Sequence, residues 1–352
     1  MEKSKSKPTI EDVAKYCGVS VSTVSRVINK SSPVSRELHT KVEKAVNDLG
    51  FQPRQRISRS RPEKIGLLVP NVLNPSFVEI INGAQEEAER QGLNLAIFHA
   101  SEDPERQMYH LNLLKKWGLD GLMVMRTQIL AEMLVKFQVQ NNMPIVVSRL
   151  VEIPQLACIM VDYATAIVQT TRYLLSLNHR RIACISGPPE WESSIVILKN
   201  VRQTLKEANL RLHGDLYRCC FPNIEESSQI VHNFLSLPEN SRPTAIMAFN
   251  DLSAIGAIHA IHSRGLQVPD DISVVGFGDI SMAAYTNPPL TTIAQPTYQI
   301  GQLAVKTLAD LMNKRIAVSG GFTLLKCSLV VRETTGPCSE NHRNDRNYRN
   351  QE

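Results

Sequence analysis

The sequence predicts an α/β protein: a three-helix helix-turn-helix headpiece at the N-terminus, followed by a two-lobed body of doubly wound parallel sheets. Three observations predict it. Three short amphipathic segments, each with a capping residue, occupy the first fifty residues. Basic charge is confined to that end of the chain. From Lys64 onward, strand-length apolar runs alternate with helix-length amphipathic ones. At 352 residues the chain can hold one small core and larger ones beside it.

Hydrophobic residues at 43% and charged residues at 21% fit a folded globular chain and exclude a mainly disordered one. The longest apolar runs, such as 65–69 and 121–125, are strands in length, against the ~18 apolar residues of a membrane helix. Lys3, Lys5 and Lys7 resemble the charged start of a signal peptide. Pro8, Glu11 and Asp12 stand where its apolar core would lie, so a cytoplasmic location is expected and no membrane partner. Seven cysteines, with no C-x-x-C spacing, read as buried reduced thiols, Cys219-Cys220 being the pair of interest; no metal and no cofactor are expected. Residues 1–64 carry 14 Lys/Arg against 7 Asp/Glu, a net +7, which leaves −2 for the other 288 residues of a chain whose total is +5. A basic end on a near-neutral body is the footprint of a segment that neutralises phosphates while the body does something else.

In the headpiece, Thr9 precedes an apolar run and Asp12 follows three residues later, the signature of a capped first helix that Cys17-Gly18 ends. Ser20 caps the second segment, in which Val24, Val27 and Ile28 recur at helical spacing. Ser35 opens a third helix with Leu38, Val42, Ala45, Val46 and Leu49 apolar, and Gly50 closes it. Ser22, Ser25, Arg26 and Asn29 point away from the apolar side of the second helix. Small hydroxyls allow close approach to a DNA backbone, and an arginine can bond O6 and N7 of guanine together. An isolated surface arginine would simply be solvated, so the weight rests on its surroundings.

Those surroundings, TIEDVAKYCGVSVSTVSRVINKSSPVS, resemble the headpiece of the lactose/galactose-repressor (LacI) family of bacterial regulators. Cys17 replaces a customary small alanine. The resemblance implies that Val21, Ser22 and Arg26 face base edges, that Thr9, Thr23, Ser25 and Asn29 hold phosphates, and that a homodimer reads a pseudo-palindromic double-stranded operator; Ser20 is expected at the same DNA interface. It also implies a periplasmic-binding-protein-like body that binds a small-molecule effector.

Residues 53–64 read as a basic hinge, with Arg54, Arg56, Arg59, Arg61 and Lys64 and almost no apolar content. The family places an alanine-rich helix here that wedges a leucine into the minor groove. This chain has no leucine there. Ile57 is the one apolar candidate, and Arg56 or Arg59 entering a narrow minor groove is the alternative.

In the body, 65–335, strand-like runs at 65–69, 93–98, 121–125 and 144–148 alternate with helices, and the alternation restarts near 159–162 as a second lobe. A last helix at 300–312 and a strand at 324–331 are expected to cross between the lobes. The resemblance continues through RPTAIMAFND and VPDDISVVGFGD to PPLTTIAQP, where it is nearest the cytidine-responsive, nucleoside-regulated branch of the family. Residues 336–352 are expected to form a disordered tail.

Such lobes bind ligands at the carboxyl ends of their strands. Candidates there are Asn74, Ser76, Phe77, Arg126, Thr127, Arg149, Asp162, Trp191, Ser193, Phe221, Asp251 and Asp279. Two departures from the family stand out: Ile197 occupies the place of an effector-gripping arginine, and Gly278 that of an aspartate. An ordinary sugar is then a weaker fit than a nucleoside or a sugar acid, and a degenerate cleft regulated by a protein partner is the alternative. The body lacks a phosphate-binding loop, a nucleophile elbow and a complete dinucleotide fingerprint, and its histidines do not fall at metal spacing, so no catalytic residues are expected.

Overall fold

A computed structural model describes residues 8–29, 35–49, 63–101, 103–127, 129–148, 153–316 and 322–338. The chain divides into two compact units, 1–62 and 63–352.

In the first unit, α1 (Ile10–Cys17), α2 (Val21–Asn29) and α3 (Arg36–Asp48) share one small core. Thr9 and Asp12 form a reciprocal capping box: the Thr9 hydroxyl accepts from the Asp12 N–H, and the Asp12 carboxylate accepts from the Thr9 N–H at 2.7 Å. Gly18 ends α1 in the left-handed region at φ 62°, which glycine enters without a Cβ clash. Ser20 and Ser35 cap α2 and α3 through the N–H groups of Thr23 and Leu38. Val13, Ala14, Cys17, Val24, Val27, Val42 and Ala45 are buried together, so the described apolar residues facing inward on α2 are used up in holding the three helices.

The second unit holds two six-stranded sheets. The first contains β1 (Lys64–Val69), β2 (Asn94–His99), β3 (Gly121–Met125), β4 (Ile145–Ser148), β5 (Ala157–Val161) and β11 (Phe322–Leu325), in the order β11-β5-β4-β3-β1-β2, all parallel. Helices α4 (Pro75–Gln91), α5 (Pro104–Leu114) and α6 (Ala131–Asn141) connect its strands, and α11 (Thr297–Met312) packs along α4. The second sheet, β12-β10-β9-β8-β6-β7, is built from β6 (Ile182–Ser186), β7 (Tyr217–Cys219), β8 (Ala245–Ala248), β9 (Ser273–Gly278), β10 (Thr291–Ala294) and β12 (Ser328–Val330). Only β12 runs antiparallel. Its helices are α7 (Tyr163–Ser176), α8 (Glu192–Glu207), α9 (Ile224–Leu235) and α10 (Asp251–Ser263).

Two expectations are corrected here. The run at 159–162 does not open the second lobe: β5 pairs with β4 and β11 in the first sheet, and the chain crosses only after it. The strand expected at 324–331 is two strands, one in each sheet, joined through Lys326 and Cys327. The chain therefore crosses between sheets three times, after β5, after β10 and after β11. A hydrophobic run cannot say which of two similar sheets accepts it, because both offer the same apolar faces. Among the described residues no helix is long and apolar enough to span a membrane, and no cluster of His, Cys, Asp or Glu could hold a metal ion. His179 is buried between Thr244 and the Gly336 carbonyl, a structural role.

Candidate nucleic-acid interface and ligand cleft

In the first unit, burial of Val24 and Val27 turns the opposite face of α2 outward. Ser20, Val21, Ser22 and Arg26 are exposed, Val21 by 43%, although it is apolar and could have been packed. Thr23 and Ser25 are half-buried at the edge of this face. The Ser20 hydroxyl lies 2.8 Å from those of both Ser22 and Thr23, a short ladder that presents donors and acceptors along the start of the helix. Thr9 is exposed at the start of α1, and its bonds hold the Asp12 carboxyl below the usual range, keeping the cap ionised. Asn29 is the last residue of α2; its side chain lies outside the described residues, as do Arg54, Arg56, Ile57 and Arg59. A helix N-terminus with exposed hydroxyls and one long cation is suited to entering a major groove.

In the second unit, the carboxyl ends of the strands enclose a cleft of about 740 Å³, its open mouth included. Six of the expected residues line it: Ser76, Phe77, Arg126, Thr127, Trp191 and Ser193. The first two sit in the opening turn of α4, which Asn74 caps by accepting from the Ser76 N–H at 3.0 Å. Arg126 follows β3 with φ 45°, a left-handed conformation costly for a branched-at-Cβ or long side chain and held here by its N–H bond to the Ser148 carbonyl. Its guanidinium lies over the Phe77 ring at 5.5 Å, and no described carboxylate pairs with it. Thr127 is less available, because its hydroxyl donates to Gln107 and accepts from the Ile129 N–H. Trp191, just before α8, is 5% exposed and wedged against Phe249.

The other candidates are placed elsewhere. Asp162 caps α7 through the Thr165 N–H. Phe221 is 53% exposed and meets Trp191 edge-on at 6.2 Å. Asp251 is buried, accepting from the Thr292 hydroxyl and the Ile280 N–H. Burial pushes its carboxyl up, against those two bonds. Asp279 pairs with Arg332 at 2.7 Å. Arg149 lies outside the described residues.

Both departures from the family pattern are structural here. Ile197 is 4% exposed in the core beneath α7 and the second sheet. Gly278 has φ 140°, and a Cβ on it would lie 3.2 Å from Asp251 Oδ2 and 3.3 Å from Ser76 Oγ of the first lobe. A side chain here would crowd Ser76 and Asp251 and adopt a backbone conformation that residues with a Cβ rarely enter.

Sequence reasoning missed Ser148, Tyr163, Glu192, Gln295 and Thr297 on the cleft wall. Tyr163 and Gln295 stand just after the first and second crossings, and the Tyr163 hydroxyl donates to Gln295 Oε1 at 2.9 Å. The ring of Tyr163 stacks on Phe277 at 4.8 Å. Burial pushes the phenol up, so it stays a donor at neutral pH. A signal did exist: residues just after a strand of a doubly wound sheet lie at the cleft end of the sheet, but it required knowing that the chain crosses there.

Comparison with known proteins agrees with both units. Residues 9–54 match "Bacterial regulatory proteins, lacI family", and residues 171–335 match a periplasmic binding protein-like domain. The HTH-type transcriptional repressor PurR of Aliivibrio fischeri is 34% identical over 313 residues, 86% of this chain and 91% of that one. The HTH-type transcriptional repressor CytR of Escherichia coli is 30% identical over 339 residues, 95% and 98% of the two chains. Among solved structures, the Lac repressor dimer bound to operator and the anti-inducer ONPF aligns with a TM-score of 0.70 at 27% identity, covering 94% of this chain and 100% of that one. The CelR–cellobiose complex aligns with a TM-score of 0.69 at 25% identity, covering 93% and 99%. With its headpiece and two-sheet body both matched along nearly their full length, the chain belongs to the lacI family of bacterial regulatory proteins, which are DNA-binding transcription regulators.

Proposed function

We propose that the protein is a non-catalytic cytoplasmic repressor that binds a pseudo-palindromic operator as a homodimer and is controlled by a small molecule in its cleft. Residues 1–52 bind DNA, 53–64 form the basic hinge, 65–335 bind effector and dimerise, and 336–352 are a tail. Val21, Ser22 and Arg26 meet base edges, while Thr9, Ser20, Thr23, Ser25 and Asn29 follow the phosphates. One observation carries the reading: α2 spends Val24 and Val27 on its core yet leaves Val21 and Arg26 in solvent.

The cleft offers aromatic surface from Phe77 and Trp191, a cation in Arg126, a carboxylate in Glu192, and hydroxyl and amide groups from Ser76, Ser193 and Gln295. That set suits a polar ring compound bearing an anionic or strongly electronegative group, which favours a sugar acid or a nucleoside over a neutral pyranose. CelR with cellobiose shows a neighbouring structure holding a small carbohydrate. Thermal unfolding of the full chain against sugar acids, nucleosides and neutral sugars tests the assignment. A cognate compound stabilises by ~2.7 kcal/mol at a hundredfold excess over Kd. The burial of Ile197 and the pairing of Asp279 with Arg332 favour a second reading, a degenerate cleft regulated by a protein partner. Absence of stabilisation by all three classes, with DNA binding intact, selects that reading.

A further inference from the structure

We propose a second small-molecule site, on the outer face of the second lobe between α8 and β7, that takes a phosphorylated metabolite with a ring-bearing body. A groove of about 1130 Å³, its open side included, runs there. Lys199, Arg202 and Lys206 line it from one side of α8, at spacings of three and four residues that set successive side chains about a turn apart. Among the described residues no carboxylate lines the groove. The nearby Glu207 is occupied by Arg172 at 3.1 Å and by Gln203 at 3.1 Å, so it does not neutralise the three cations.

One further observation points to a ligand rather than a merely solvated face. Tyr217 lies across the groove with its ring 6.0 Å from the Arg202 guanidinium. Its oxygen accepts from the Cys219 thiol at 3.2 Å. Burial pushes that phenol up to about 12, so the proton is present at neutral pH.

The shape selects the chemistry. Ile195, 56% exposed, lies in the groove with Leu198 and Pro189, an apolar floor that a bare anion would leave wet. A dianionic phosphomonoester matches neighbouring ammonium and guanidinium groups, and a ring fits beside Tyr217 over the apolar floor. The site is distinct from the cleft but shares α8 with it: Trp191, Glu192 and Ser193 line the cleft, while Ile195, Leu198, Lys199, Arg202 and Lys206 line the groove. Occupancy of the groove therefore bears on the cleft wall through one helix.

The test is isothermal titration of the full chain with adenosine 5′-monophosphate, glucose 6-phosphate, adenosine and inorganic phosphate. At least one phosphomonoester is expected to bind saturably, and about tenfold more tightly than either adenosine or inorganic phosphate alone. The double variant Lys199→Ala/Arg202→Ala, both sites being exposed, should weaken that binding about tenfold or more with an unchanged circular dichroism spectrum. Arg126→Ala should leave it intact. Failure of both phosphomonoesters to bind overturns the proposal. So does binding that survives the double variant, or that disappears with Arg126→Ala, which would place the compound in the cleft.

Discussion

Arg26 is where sequence and structure converge on one atom group. It stands on the exposed face of α2, a turn after Ser22, on a helix whose opposite side is fully engaged in the core. Replacing it with alanine removes a bidentate donor without disturbing packing. We expect operator affinity to fall by ~1–3 kcal/mol, roughly 5- to 150-fold, while affinity for scrambled DNA falls much less. Fluorescence anisotropy on both duplexes at one salt concentration decides it; equal losses would assign Arg26 to the phosphates. Cleft residues divide differently. Arg126 was legible because it directly follows an apolar strand. Asp279, directly after β9, and Asp251, at the start of α10 after β8, do not line the cleft, because a buried N–H, a hydroxyl and a guanidinium claim them first. Competition of that kind has no trace in local sequence.

At the scale of elements, α4 and α8 each carry a feature that a pattern cannot resolve. Glu87 on α4 is 6% exposed and accepts from Arg90 at 2.6 and 2.7 Å and from Gln91 at 2.8 Å. The Arg90 bonds foremost hold its carboxyl below the ordinary range. Folding therefore favours the ionised form. The stabilisation is fully present above the ordinary glutamate value and is lost as pH falls through the depressed one. Glu87→Gln should be less stable at pH 7 and lose less of its remaining stability on acidification, as read from urea midpoints between pH 3 and 7. On α8, Ile197, where the resemblance to the family led us to expect an effector-gripping arginine, is core. Ile197→Arg is expected to destabilise by about 3 kcal/mol or more, the cost of a buried unpaired charge, without improving sugar binding. A variant of unchanged stability that bound neutral sugars would show that the position still faces the cleft.

For the whole molecule, charge and symmetry set the expectations. The net +7 of residues 1–64 against −2 for the remainder concentrates phosphate binding at one end of the chain. Operator affinity should fall linearly with salt on logarithmic axes, with a slope proportional to the phosphates neutralised by both headpieces. Sedimentation is expected to give two chains per palindromic duplex, because a two-fold site is matched by a two-fold protein. A monomer binding the full palindrome with undiminished affinity would contradict the dimer.

The sequence by itself determined the element types, the three-helix headpiece and the outward polar face of its second helix, because capping, helical spacing and charge act over a few residues. It also marked the two positions, Ile197 and Gly278, at which this chain parts from its family. Only the tertiary structure decided what those changes mean: Ile197 serves the core, and at Gly278 a side chain would crowd Ser76 and Asp251. The structure also decided that β5 belongs to the first sheet and that Tyr163 and Gln295 meet on the cleft wall, 132 residues apart in the chain. The physical reason is common to both cases. Burial and hydrogen bonding are settled by whichever partner arrives in space, and the two lobes offer nearly equivalent apolar sheets among which only the whole fold can choose.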